Sequence, residues 1–149
     1  MTIKITVHKK SKSILLDVPR QTRKHKKAIG HALHEIGVIV GRENKRIITT
    51  GARTGRVYRI RGIDHQAGAP GEPPANRTGR LMKSYDYKVA GWHTMKVGEE
   101  APYAKFLEDG TRRMGGRLGA RQHLIKAINN KSADSVRAFY RYGKDEIGA

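Results

Sequence analysis

The chain contains no cysteine. Disulfide frameworks, thiolate metal sites and cysteine nucleophiles are therefore excluded. Long hydrophobic runs are also missing: the longest reach a few residues, against the ~20 that span a bilayer. Met1-Thr2-Ile3-Lys4 opens no apolar stretch of signal-peptide length, so a cytosol-like compartment is expected. Aromatic residues make up only 6% of the 149 positions, and most fall on patterns where core packing is the ordinary use. Acidic residues are the other shortage, 13 Asp+Glu against 31 Lys+Arg, for a formal net charge of +18. That imbalance predicts attraction to polyanions and self-repulsion of the compact state, and leaves the fold open.

The length suits one domain spanning 1–149, and 37% hydrophobic residues are enough for a core. The charge is uneven: residues 1–63 carry a net +13 and residues 64–149 a net +5. The densest basic run is Arg23-Lys24-His25-Lys26-Lys27, preceded by Arg20. A second segment holds Arg53, Arg56, Arg59 and Arg61. Solvated faces are the ordinary reading of such runs. A surface facing DNA or an acidic partner is the functional one, favoured here by the local charge density.

Ile3-Lys4-Ile5-Thr6-Val7 alternates as a half-buried strand does. Ile14-Leu15-Leu16 reads as strand or loop. Ile29, Ala32, Leu33, Ile36 and Val40 form a stripe at offsets of three and four, predicting a long helix from about Pro19 to Ile47. Thr49 to Arg53 is expected to turn, and Arg56 to Ile60 to form a strand with Tyr58 and Ile60 on one face. Gly62 to Asn76 reads as loop, being rich in glycine and proline. Thr78 is placed to cap a short helix through Ser84. Tyr85 to Val89 and Trp92 to Val97 alternate about Gly91, a hairpin signal. Pro102 opens a short helix closed by Gly110, and a C-terminal helix follows from Arg121, softened at Asn129-Asn130. The expected class is α+β: an antiparallel β-sheet packed against a long N-terminal helix and a C-terminal helix.

Catalytic constellations are not evident. His31 and His34 lie three apart on a helix but lack a third metal ligand. The Gly/Arg stretch 110–119 lacks the Gly-Lys-Ser/Thr ending of a P-loop. The acid pairs Glu99-Glu100, Glu108-Asp109 and Asp145-Glu146 are neighbours in sequence, which does not make an acid/base pair. Ser84, Ser132 and Ser135 sit in no nucleophile elbow. A non-enzymatic protein without cofactor or metal is expected.

Two segments carry a resemblance. Residues 69–81, APGEPPANRTGRL, resemble the APGEPPA…TGRL signature of a neck or tail-completion family of long-tailed double-stranded DNA bacteriophages. Residues 101–111, APYAKFLEDGT, resemble that family's PYA…LE.GT segment. Ala120-Arg121-Gln122-His123-Leu124 is similar to its ARPFL, with Gln122-His123 where the family has Pro-Phe. The similarity covers residues 20–130, in the family's order.

The resemblance implies a structural virion protein at the head–tail junction, assembled in the host cytoplasm. It would belong to the head–tail connector or complete the head-proximal end of the tail. A homo-oligomeric ring, a hexamer, is the expected form, with DNA passing through it and adaptor, tail-terminator or tail-tube proteins as neighbours. A ring needs two different patches per subunit. The resemblance offers Pro70, Glu72, Pro73, Pro74, Arg77, Arg80, Tyr103, Phe106, Glu108, Asp109, Arg112 and Arg113 as subunit-interface candidates. The basic set Arg20, Arg23, Lys24, Lys26, Lys27, Arg53, Arg56, Arg59 and Arg61 would face DNA or an acidic neighbour. A small basic nucleic-acid-binding protein is the alternative.

Overall fold

Helix-forming stripes and alternating strands both appear where the sequence places them, in an α+β fold. The computed structural model describes residues 3–8, 11–16, 23–110 and 120–147. The chain divides into two compact units: Met1–Gly41 with Asp86–Gly98 and Asn130–Ala149, and Arg42–Tyr85 with Glu99–Asn129.

The first unit contains a four-stranded sheet in the order β1-β2-β6-β5. β1 (Ile3–His8) pairs antiparallel with β2 (Ser11–Leu16), Ile5 opposite Ile14. β2 pairs antiparallel with β6 (Thr94–Glu99), Ile14 opposite Met95. β5 (Tyr85–Ala90) lies beside β6. The segment read as strand or loop at 14–16 is thus a strand, stabilised from both sides.

α1 (Arg23–Thr50) buries Ile29, Ala32, Leu33, Ile36 and Val40, the stripe read from spacing, and Ala28 beside it. It ends three residues later than expected, and the expected start, Pro19 to Thr22, lies outside the described residues. Gly37 has a packing reason: a Cβ there would sit 2.4–2.7 Å from ring atoms of Tyr87 on β5. A hydrogen in place of a methyl lets this helix approach the sheet. His34 meets the same Tyr87 ring edge-on at 5.8 Å, and the Lys26 ammonium lies 5.7 Å from the Trp92 ring centroid. Against α5 (Ser132–Ile147), His31 meets the Tyr142 ring at 5.9 Å and Glu35 pairs with Arg141.

The second unit holds the end of α1 and three short helices: α2 (Arg80–Lys83), α3 (Ala104–Asp109) and α4 (His123–Asn130). Ile48, Leu81, Ala101 and Ala104 form one buried cluster, with Met82 and Leu107 packed on it. Leu124, Ala127 and Ile128 of α4 are buried at helical spacing. The C-terminal helix expected from Arg121 is two helices, α4 and α5, with Lys131 in a turn between them. The Asn129-Asn130 pair marks the break, since asparagine competes with helix hydrogen bonds through its own side chain.

One element of this unit departs from the sequence reading. Residues 62–76 are not all loop: β4 (Ile63–Gln66) pairs antiparallel with β3 (Val57–Ile60). The turn is Arg61-Gly62, both at positive φ, 51° and 81°. That is the primed geometry matching strand twist, and Gly62 adopts it without steric cost.

Candidate functional site

The segments that carry the motifs fold together in the second unit. Glu72 is the organising residue of the proline-rich stretch. Its carboxylate accepts hydrogen bonds from the Thr54 N–H at 2.8 Å, the Thr54 hydroxyl at 2.5 Å and the Ala69 N–H at 2.7 Å. Those donors, the Thr54 hydroxyl first, hold its pKa below the ordinary carboxylate range, with help from the nearby Arg121 charge. The Lys126 ammonium donates to the Gly71 carbonyl at 2.8 Å. Close backbone approach completes the arrangement: a Cβ on Gly68 would lie 2.4 Å from the Pro73 carbonyl oxygen.

The other two motif segments meet through a buried ionic cluster. His123, at the start of α4, is fully buried. Its Nε2 lies 2.8 Å from Glu99 Oε2, and its Nδ1 lies 3.3 Å from both Glu108 Oε2 and the Arg121 carbonyl oxygen. Both ring nitrogens face acceptors, so the imidazolium, with two donors, fits best. Burial pushes the ring towards its neutral form. The Glu99 hydrogen bond and charge, then the Glu108 charge and the Arg121 carbonyl, outweigh burial and leave the pKa raised. Asn44 donates to Glu99 Oε1 at 2.8 Å. Glu108 Oε1 accepts the Leu124 and Ile125 N–H groups, each at 3.0 Å, and so caps α4 from a distance in sequence. The Arg121 N–H also donates to the Leu107 carbonyl at 2.8 Å.

The expected interface residues therefore divide. Glu108 faces inward and is engaged within the chain, and Pro74 is buried. Glu72 and Pro73 are half-buried in the clamp. Pro70, Arg77, Arg80, Tyr103, Phe106 and Asp109 are exposed. Arg112 and Arg113 lie outside the described residues.

The basic candidates occupy two places. Arg23, Lys26 and Lys27 are exposed on the first turns of α1. Arg20 and the side chain of Lys24 lie outside the description. Arg53 donates to the Thr49 carbonyl at 3.2 Å, just beyond the other end of α1. Arg56, Arg59 and Arg61 are exposed on or beside the β3–β4 hairpin. Arg56 stacks over the Tyr58 ring at 5.4 Å, and Arg59 lies 3.8 Å from Asp64.

This hairpin also exposes apolar side chains: Val57 at 55%, Tyr58 at 48%, Ile60 at 36% and Ile63 at 62%. Cross-strand pairing of Tyr58 with His65 and Ile60 with Ile63 gathers three of the four on one face.

Sequence reasoning missed the His123 cluster because its members are far apart in the chain. A signal was available: His123 opens an apolar-striped helix, and a buried histidine needs polar partners. Among the described residues no group of three His, Cys, Asp or Glu is arranged to hold a metal ion. No described helix is long and apolar enough to cross a membrane.

No protein-family model, no curated protein and no solved structure matches this chain.

Proposed function

We propose that this chain is a structural, non-catalytic virion protein of a tailed bacteriophage. Its place is the head–tail connector, or the head-proximal end of the tail, as a homo-oligomeric ring around the DNA path. The observation that carries the reading is the convergence of the three motif segments on one scaffold. Residues 69–81 are clamped through Glu72 and Lys126, residues 101–110 supply Glu108, and residues 120–124 supply His123. Segments with a shared structural task support a family signature better than Gly- and Pro-rich strings do alone.

In this reading adaptor proteins lie on one side of the ring and tail-terminator or tail-tube proteins on the other. The first experiment is cryo-EM of intact particles. Density for this chain as a ring at the neck is the expected result. Its absence from purified particles overturns the reading.

A second reading, nucleic-acid binding, is favoured by one observation. Arg56 stacks over an exposed Tyr58 on the hairpin, with Arg59 and Arg61 exposed on the same ribbon, and a guanidinium over an aromatic ring suits phosphate contact and base stacking. It predicts tight DNA binding by the isolated chain that weakens steeply with added salt. Retained affinity in high salt, or none in low salt, removes it.

A further inference from the structure

The β3–β4 hairpin is regular and yet almost wholly uncovered. Seven of its eight strand residues are exposed. Two-stranded ribbons of this length are marginal in water unless a further layer covers one face. Here one face presents Tyr58, Ile60 and Ile63, with Arg56 over Tyr58 and Arg61 at the tip. Solvated aliphatic side chains make this face unsuited to DNA alone, because phosphates offer isoleucine nothing that water does not.

The complementary surface is on the chain itself. α3 turns Ala104 and Glu108 inward and leaves Tyr103, Phe106 and Asp109 exposed at three-residue spacing, one row along the helix. Phe106 is 56% exposed. Glu100 is exposed just before the helix, and Lys105 is the one cation on it. One patch is apolar and cationic, the other aromatic and bordered by carboxylates. They differ from each other, as a head-to-tail contact requires.

We propose that the hairpin of one copy docks on α3 of the next, Ile60 and Ile63 against Phe106 and Tyr103, with Arg56 and Arg61 meeting Asp109 and Glu100. This names the subunit contact of the ring and rests on the proposed reading for the expectation that copies assemble. The hairpin is smaller than the roughly 20–30 residues a side of a standard interface, so it acts as an arm within a larger contact.

The cysteine-free sequence makes the test clean. Ile63→Cys and Phe106→Cys are prepared as separate full-length chains, mixed under mild oxidation and read on non-reducing gels. The mixture is expected to give a disulfide-linked dimer in large excess over either chain alone. Ile63→Glu and Phe106→Glu, each checked for native circular dichroism, are expected to weaken self-association measured by sedimentation at least about tenfold. Mixed together, these two variants are expected to stop at dimers, since each pair retains one intact contact. Wild-type oligomers that survive both substitutions, without the mixed cross-link, overturn the inference and leave the ring reading standing. A neck without this chain overturns the ring reading, while a mixed cross-link would still stand for the contact.

Discussion

The proline-rich stretch 68–74 and the β3–β4 hairpin are close in sequence and belong to the same unit, but they are stabilised in opposite ways. The stretch has no regular backbone ladder. It is held by a carboxylate that accepts three hydrogen bonds, by the Lys126 ammonium and by close backbone approach at Gly68. The hairpin has a full ladder and a two-residue Arg61-Gly62 turn, and all but one of its strand side chains are left in solvent. Regular secondary structure and a settled environment are thus separate matters. The first follows from backbone geometry and the second from where side chains are buried. Irregular segments with satisfied polar groups are finished surfaces. A regular segment with exposed isoleucines is the one to examine for partners.

The contrast is broken most severely at the buried end of the scaffold. Glu108→Ala removes the acceptor for two helix N–H groups and one of the two carboxylates at His123. A loss of about 3–5 kcal/mol is expected in urea unfolding, the usual cost of breaking a buried pair from one side. Glu108→Gln keeps an acceptor oxygen and is expected to lose roughly half as much. A loss below ~1 kcal/mol for Glu108→Ala would show that the cluster does not hold this unit together.

The same cluster predicts a pH dependence. Because the His123 pKa is raised above its ordinary 6.5, its stabilising contribution is complete below that pH and is lost as pH rises through the folded-state value. The stability advantage of the wild type over His123→Phe should therefore shrink with rising pH. NMR titration of the imidazole should place its midpoint above 6.5. A midpoint below 6.5 would mean that burial outweighs the carboxylates.

At the clamp the effect is expected to be local. Glu72→Ala should raise amide hydrogen exchange at Thr54 and Ala69 and admit proteolysis in 68–74, with the hairpin ladder unchanged. Since the Glu72 pKa is lowered, its contribution is present above the ordinary 4.5 and is lost as pH falls through the folded-state value. Equal exchange in wild type and variant would show that Glu72 does not hold this stretch in place.

The smallest effect is expected where exposure is greatest. Ile63→Lys in the monomeric chain should change unfolding free energy by no more than about 0.5 kcal/mol, as for other open surface positions. A loss above ~2 kcal/mol would show that the hairpin is covered within its own chain and would erase the contrast.

How legible each part was follows from the range of the interactions involved. Spacing within α1 identified Ile29, Ala32, Leu33, Ile36 and Val40 as a buried face, because a helix repeats its geometry every few residues. The alternations at 85–89 and 92–97 located β5 and, two residues before its observed start, β6 for the same reason. β4 was hidden because Ile63-Asp64-His65-Gln66 has a single apolar residue and the Arg61-Gly62 turn lacks the usual Asn-Gly or Asp-Gly. Tyr103 and Phe106 were legible as candidates, whereas the inward turn of Glu108 was not, since its partners Leu124, Ile125 and His123 lie well over a dozen residues away.

The sequence by itself determined the α+β composition, the apolar stripes, the excess of positive charge and the absence of thiol chemistry. Each is a property of composition or of spacing within one element. Only the tertiary structure decided that Glu99, Glu108 and His123 share one buried site, that Glu72 serves the fold, and that the hairpin stands exposed. Those outcomes depend on which distant residues meet, and burial then sets the strength of every charge and hydrogen bond among them.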